Sequence, residues 1–274
     1  MNTQASAEDQ NSWRKVLLFG AGLYVLVVVT LVLTGNPNLF PTVVLVGNFL
    51  IPVVYVVFFY ERDAITKLPL SATALSFVYG GILGVVAASI LTPIFISGFN
   101  LLTVFVIGLI EEFAKIIGVL VVARSRRHEA EIHGLVMGAA AGMGFAALES
   151  TGYAFNAFLQ SQGSLSATVI VTLVRGVLAP LGHGTWTAIL GSVLFRESEP
   201  GDYHINLKVI GAYLGVVLLH ALWNGLPAVL SAVVPSGVDA PIGQLIVGAI
   251  GLFVLWRLWR QGVKRQEASE PASA

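Results

Sequence analysis

The sequence contains no cysteine. That absence excludes disulfides, thiolate metal sites and a cysteine nucleophile. Charge is also scarce. Only 11% of the 274 residues are Asp, Glu, Lys or Arg, where soluble domains carry about 25%. Neither sign prevails, since 15 basic residues face 15 acidic ones. The zero sum says nothing about partners by itself, and no nucleic-acid partner is expected. What fills the chain instead is apolar: 56% of it is hydrophobic. This composition belongs to an integral membrane protein with little mass outside the lipid bilayer.

Eight apolar segments follow one another, at about 16–34, 42–60, 73–96, 101–123, 132–157, 167–194, 208–230 and 241–260. Each is near the 17–25 residues that a helix needs to cross a bilayer core. The alternating period of a membrane barrel strand is absent, so helices are expected. The fold class is therefore all-α: a bundle of about eight transmembrane helices. The first segment is longer than a signal-peptide core, and no small-x-small cleavage site follows it, so it reads as a span. The expected organisation is an N-terminal tail over 1–15, a membrane domain over 16–260 with its polar core at about 101–230, and a tail over 261–274. No repeat, linker or second domain is visible.

Orientation comes from the loops. Thirteen of the fifteen basic residues flank spans, from Arg14 and Lys15 through Arg62, Lys67, Arg124, Arg126, Arg127, Arg196 and Lys208 to Arg257, Arg260, Lys264 and Arg265. All of them fall on one side, and the opposite loops hold none. The positive-inside rule makes that side cytoplasmic, with both termini in the cytoplasm of a multi-pass cell-membrane protein. Small residues recur every four positions at Gly134, Gly138 and Gly142, at Gly80 and Gly84, and at Gly211 and Gly215. Such spacing lets helix backbones approach closely.

The remaining charges lie inside spans. Span 4 carries Glu111, Glu112 and Lys115; span 5 carries Glu149; span 6 carries Arg175 and His183; span 7 carries His220, with Asn224 one turn on. A charge at mid-membrane costs at least about 2.5–3.5 kcal/mol, so three within five residues mark a functional site. At a rise of about 1.5 Å per residue, these groups lie at similar depths. Glu111 and Lys115 share a helix face, as do His220 and Asn224, and Phe145 stands one turn before Glu149. Glu112 lies about 100° round from Glu111, so only one of the pair is expected to point squarely at the pocket. His128, His133 and His204 fall in or near loops and read as solvated.

Two chemistries need such a set. In hydrolysis, a carboxylate takes a proton from water, alone or beside a metal. His183, His220 and Glu149 would make a His/His/carboxylate zinc set with an open position. In transport, buried Glu and His relay protons or ions. A non-enzymatic scaffold could also keep these groups, as an ion-pair network that fixes helix packing. Lys115 and Arg175 read first as ion-pair partners of the glutamates.

The order of the motifs narrows the choice. Glu111-Glu-Phe-Ala-Lys115 matches E-E-x-x-K, Phe145-Ala-Ala-Leu-Glu149 matches F-x-x-x-E, His183 stands before Trp186-Thr-Ala188, and His220-Ala-Leu-Trp-Asn224 matches H-x-x-x-N. The set resembles the PrsW family of intramembrane proteases, relatives of the type II CAAX prenyl endopeptidases. The resemblance covers spans 4 to 7, about half the chain. It implies an endopeptidase, usually classed as a metalloprotease, that acts on a membrane-associated protein. The family's namesake cleaves an anti-sigma factor outside the membrane. Carried onto this chain, the resemblance makes Glu111 and Glu112 the water-activating pair. Glu149, His183 and His220 would bind Zn2+ or stabilise the oxyanion, and Lys115, Phe145, Arg175, Trp186 and Asn224 would support them. Ser150 follows Glu149 where the family pattern leads one to expect Asn.

Overall fold

The computed structural model describes residues 11–62, 68–96, 98, 100–124, 130–199, 202–233 and 239–269. Residues 1–10 and 270–274 of the expected tails, the turn at 235–237, and Lys67, Arg126, Arg127 and His128 lie outside the described residues. The described chain is helical throughout and has no strand. The helices are α1 (Ser12–Thr34), α2 (Phe40–Arg62), α3 (Leu70–Phe95), α4 (Leu101–Ala123), α5 (Glu131–Gln160), α6 (Leu165–Leu178), α7 (His183–Arg196), α8 (Leu207–Leu230) and α9 (Asp239–Ser269). Short 3-10 turns cover Pro37–Leu39 and Ala179–Leu181.

Seven helical stretches among these are long and apolar enough to cross a membrane, with Leu165–Arg196 counted as one. The eighth expected span, α4, has the length at 23 residues but carries Glu111, Glu112 and Lys115 in its middle. Two ends differ from expectation. The first helix begins at Ser12, inside the expected tail, and α9 continues past residue 260 to Ser269. Backbone donors at the starts of spans are capped locally. Asn100 and Thr103 form a reciprocal capping box on α4, and the Asn206 side chain accepts from the backbone of Lys208 and Val209 on α8. In lipid such donors have no water to turn to.

The largest departure from expectation is in span 6. It is two helices, broken at Ala179-Pro180-Leu181-Gly182. Proline lacks the N–H that would continue the α6 ladder. The carbonyl of Pro180 is instead satisfied by the Thr185 hydroxyl at 2.6 Å, and Thr185 in turn meets the Tyr55 hydroxyl of α2 at 3.1 Å. His183 is therefore the first residue of a new helix, with its side chain set by the break.

Helix α5 is the centre of the bundle. Of its most apolar stretch 94% is buried, against 17% for α1, the most apolar span of all. This inversion fits a protein whose outer surface dissolves in lipid: apolar residues face outward, and small residues fill the middle. A methyl group added at Gly134, Gly138 or Gly142 would strike the main-chain oxygen of Gly191, Thr187 or His183 on α7. Gly80 and Gly84 of α3 lie as closely against Ala141 and Phe145. Gly211 and Gly215 do not follow the pattern. Nothing lies within 4 Å of a side chain placed at either, so this stripe on α8 packs against no other helix among the described residues. His133 also differs from its reading as a solvated loop residue. It is buried in the first turn of α5, because α5 is enclosed on every side from its start.

Candidate active site

Five helices, α4 to α8, bring the intramembrane polar residues together. From α4, Glu111 and Glu112 both reach the same space and both are buried, at 6% and 0% exposure. The two still differ in how they meet it, as expected of residues about 100° apart, but α5, α7 and α8 all border this part of α4. A rotation of about 100° still leaves Glu112 facing a neighbour.

Glu112 is saturated. Its Oε1 accepts from Lys115 Nζ at 2.7 Å and pairs with His220 Nδ1 at 2.9 Å. Its Oε2 accepts from the Thr187 hydroxyl at 3.2 Å. Thr187 was not singled out in the sequence, although it lies within the stretch after His183. Its position opposite Glu112 follows from the α5–α7 seam, which holds α7 against the bundle at Gly138.

Glu111 is the opposite case. Its Oε2 is buried and has no hydrogen-bond partner among the described residues. Two ionisable groups lie just beyond hydrogen-bond reach, His220 Nε2 at 3.6 Å and Lys115 Nζ at 3.8 Å. In the neutral ring, with Nδ1 donating to the Glu112 carboxylate, Nε2 carries the lone pair. Two acceptors thus face one another with no donor between them.

A second group lies around His183. Its Nδ1 meets Lys115 Nζ at 2.8 Å, and its Nε2 lies 3.2 Å from Glu149 Oε2. Arg175 holds the same Glu149 oxygen at 2.7 Å and donates through Nε to Ser150 Oγ at 3.0 Å. The Ser150 hydroxyl thus ties the guanidinium of α6 to α5. Aromatic rings fix the imidazoles. Phe145 and Trp186 meet His183 edge-on at 4.9 and 5.2 Å, and Trp186 lies tilted against His220 at 4.9 Å. Trp223, also missed in the sequence, packs edge-on to Trp186 at 5.7 Å. Asn224 is half-buried one turn beyond His220 and makes no hydrogen bond among the described residues. A cavity of about 90 Å³ opens beside His183, lined by Ser150, Arg175, Gly182, Trp223 and Gln244 among others.

The metal-competent set differs from the expected one. Glu111, His183 and His220 each offer a ligand atom, and these atoms lie within 4.8 Å of one another. Glu149 stands beside them, drawn aside by Arg175. The fit to a divalent cation is supported by the unpartnered Glu111 Oε2 and by charge: among the described residues, three carboxylates, Glu111, Glu112 and Glu149, share two permanent cations, Lys115 and Arg175, beside the two imidazoles.

Comparison with known proteins gives one finding. The sequence profile of the PrsW family intramembrane metalloproteases matches residues 68–258. No curated protein and no solved structure matches the chain.

Proposed function

We propose that this chain, which belongs to the PrsW family of intramembrane metalloproteases, activates water with Glu111 to cleave a membrane-associated protein. As a member of that family it is a multi-pass intramembrane protease. The residue roles below are our reading of the geometry. The observation that carries it is the buried, unpartnered Glu111 Oε2 facing His220 Nε2 at 3.6 Å.

Two lone pairs at that separation call for a donor, and a water molecule has two. Glu111 takes one proton as the water oxygen attacks the peptide carbonyl, and the same proton passes to the leaving nitrogen as the C–N bond breaks. Glu112 keeps its three partners throughout and holds His220 with its lone pair turned inward. Glu149 and Arg175 hold His183. A carboxylate poised in a site that excludes bulk water acts without first shedding a hydration shell.

Glu111, His183 and His220 would hold the metal ion, which when bound would supply Lewis acidity to the carbonyl and the water, and Glu111 would then take the proton through the carboxylate oxygen not given to the metal. Zn2+ suits a carboxylate and two imidazoles. The substrate is a membrane protein, because the site lies among spans and the chain carries no extramembrane domain among the described residues. All thirteen span-flanking basic residues on one side support cytoplasmic termini.

The test is purified protein in liposomes with a co-reconstituted single-span substrate, its fragments identified by mass spectrometry. Cleavage that stops after chelation and returns with Zn2+ supports the metal reading. Cleavage unchanged by chelation leaves Glu111 as a metal-free base and rejects Zn2+.

A further inference from the structure

Lys115 stands among the residues that would bind the metal. Its Nζ is fully buried and touches Glu112 Oε1 at 2.7 Å, His183 Nδ1 at 2.8 Å and the face of Phe145 at 4.2 Å. A lysine ammonium has three N–H donors and no lone pair. His183 Nδ1 must therefore accept from it, which puts the ring proton on Nε2. There it faces Glu149 Oε2, an acceptor, at 3.2 Å.

Both nitrogens of His183 are thus engaged, and neither offers a lone pair. Moving the proton to Nδ1 would free Nε2 but set one donor against another at Lys115. Whichever nitrogen bound a metal, the ammonium would have to leave. His220 is in the contrary state: in its neutral form, with Nδ1 on Glu112, the lone pair on Nε2 meets no ammonium and lies 3.6 Å from Glu111 Oε2. The metal group therefore has two ready ligands and a third held by a lysine.

We infer that Lys115 is an internal cation that competes with the metal: it holds His183 in a tautomer that does not bind metal, and a divalent ion gains His183 only when the ammonium withdraws. The inference rests on the metal reading proposed above. It explains how a site with three carboxylates stays ordered before metal arrives, since Lys115 already ties α4 to α7. It also makes metal affinity lower than the donor set alone would give, because an ammonium beside a divalent ion in a low-dielectric site opposes it.

The experiment is zinc titration by calorimetry on chelator-stripped protein in nanodiscs, comparing the wild type with Lys115→Met and Lys115→Arg. The methionine variant is expected to bind zinc about tenfold tighter or more, because it removes a positive charge a few ångströms from the ion, and to melt below the wild type without zinc and gain more on adding it. The arginine variant keeps the charge and should bind no tighter than the wild type. Equal or weaker zinc binding by Lys115→Met overturns the role of Lys115 and leaves the metal reading standing. No zinc binding by any of the three overturns the metal reading itself. If Lys115→Met does not fold, 15N-histidine NMR of the metal-free wild type decides: His183 protonated on Nε2 supports the inference, and His183 protonated on Nδ1 overturns it.

Discussion

Glu111 and Glu112 are neighbours in the chain, yet they occupy opposite kinds of corner. The Glu112 corner is closed. Lysine, histidine and threonine from three helices fill its acceptor sites, and it is fully buried. The Glu111 corner is open. Its Oε2 has no partner, and the nearest histidine nitrogen turns a lone pair toward it. A saturated buried carboxylate is a structural anchor, because its bonds are lost if it does chemistry. An unsatisfied one is costly to the fold, and that cost is compatible with a working site. In the function proposed above, adjacent residues of one type divide the labour: Glu112 holds the site and Glu111 performs the reaction.

The comparison breaks most completely if the closed corner loses its wall. Gly138→Leu should prevent folding, because the side chain would strike the main chain of Thr187 and force α7 away from Glu112. The readout is recovery of monodisperse protein in detergent. The same change at Gly211, where nothing is near, should leave recovery and melting unchanged.

Next in size is Glu112→Gln. It strands Lys115 and places an amide opposite two donors, and breaking a buried pair in this way costs about 3–5 kcal/mol. Melting temperature and activity should fall together.

The smallest effect lies outside the bilayer. Lys208, Arg196 and Asn206 each donate to Glu197 and hold its carboxyl down at about 2. A lowered value means that its contribution is complete above the ordinary 4.5 and fades as pH falls from there toward 2. Glu197→Gln should therefore lower the melting temperature slightly at neutral pH, and that difference from the wild type should shrink as pH falls through the acid window.

Much of this was legible in the sequence, for a physical reason. In an apolar run every charge is conspicuous, so Glu111, Glu112, Lys115, Glu149, Arg175, His183 and His220 stand out, and the structure gathers all of them. What escaped were residues that cost little in a membrane helix. Thr187 and Ser150 bond directly to the site, yet hydroxyls are common in spans and carry no comparable signal. The α6–α7 break escaped because apolar length runs unbroken through Pro180. Glycine spacing told where helices could approach but not whether a partner was there, which is why Gly138 and Gly211 look alike in the sequence. The choice of Glu111 over Glu149 beside the histidines depends on Arg175 holding Glu149, and a contact between helices has no linear signature.

The most direct test of the open corner is cleavage by Glu111→Gln, measured in liposomes beside its own melting curve. The account predicts that cleavage is lost, by about 1,000-fold or more, while the protein melts at or above the wild-type temperature, because a neutral amide relieves a buried, unpartnered oxygen. Wild-type cleavage by that variant, or a loss of activity that merely follows a loss of folding, would contradict it.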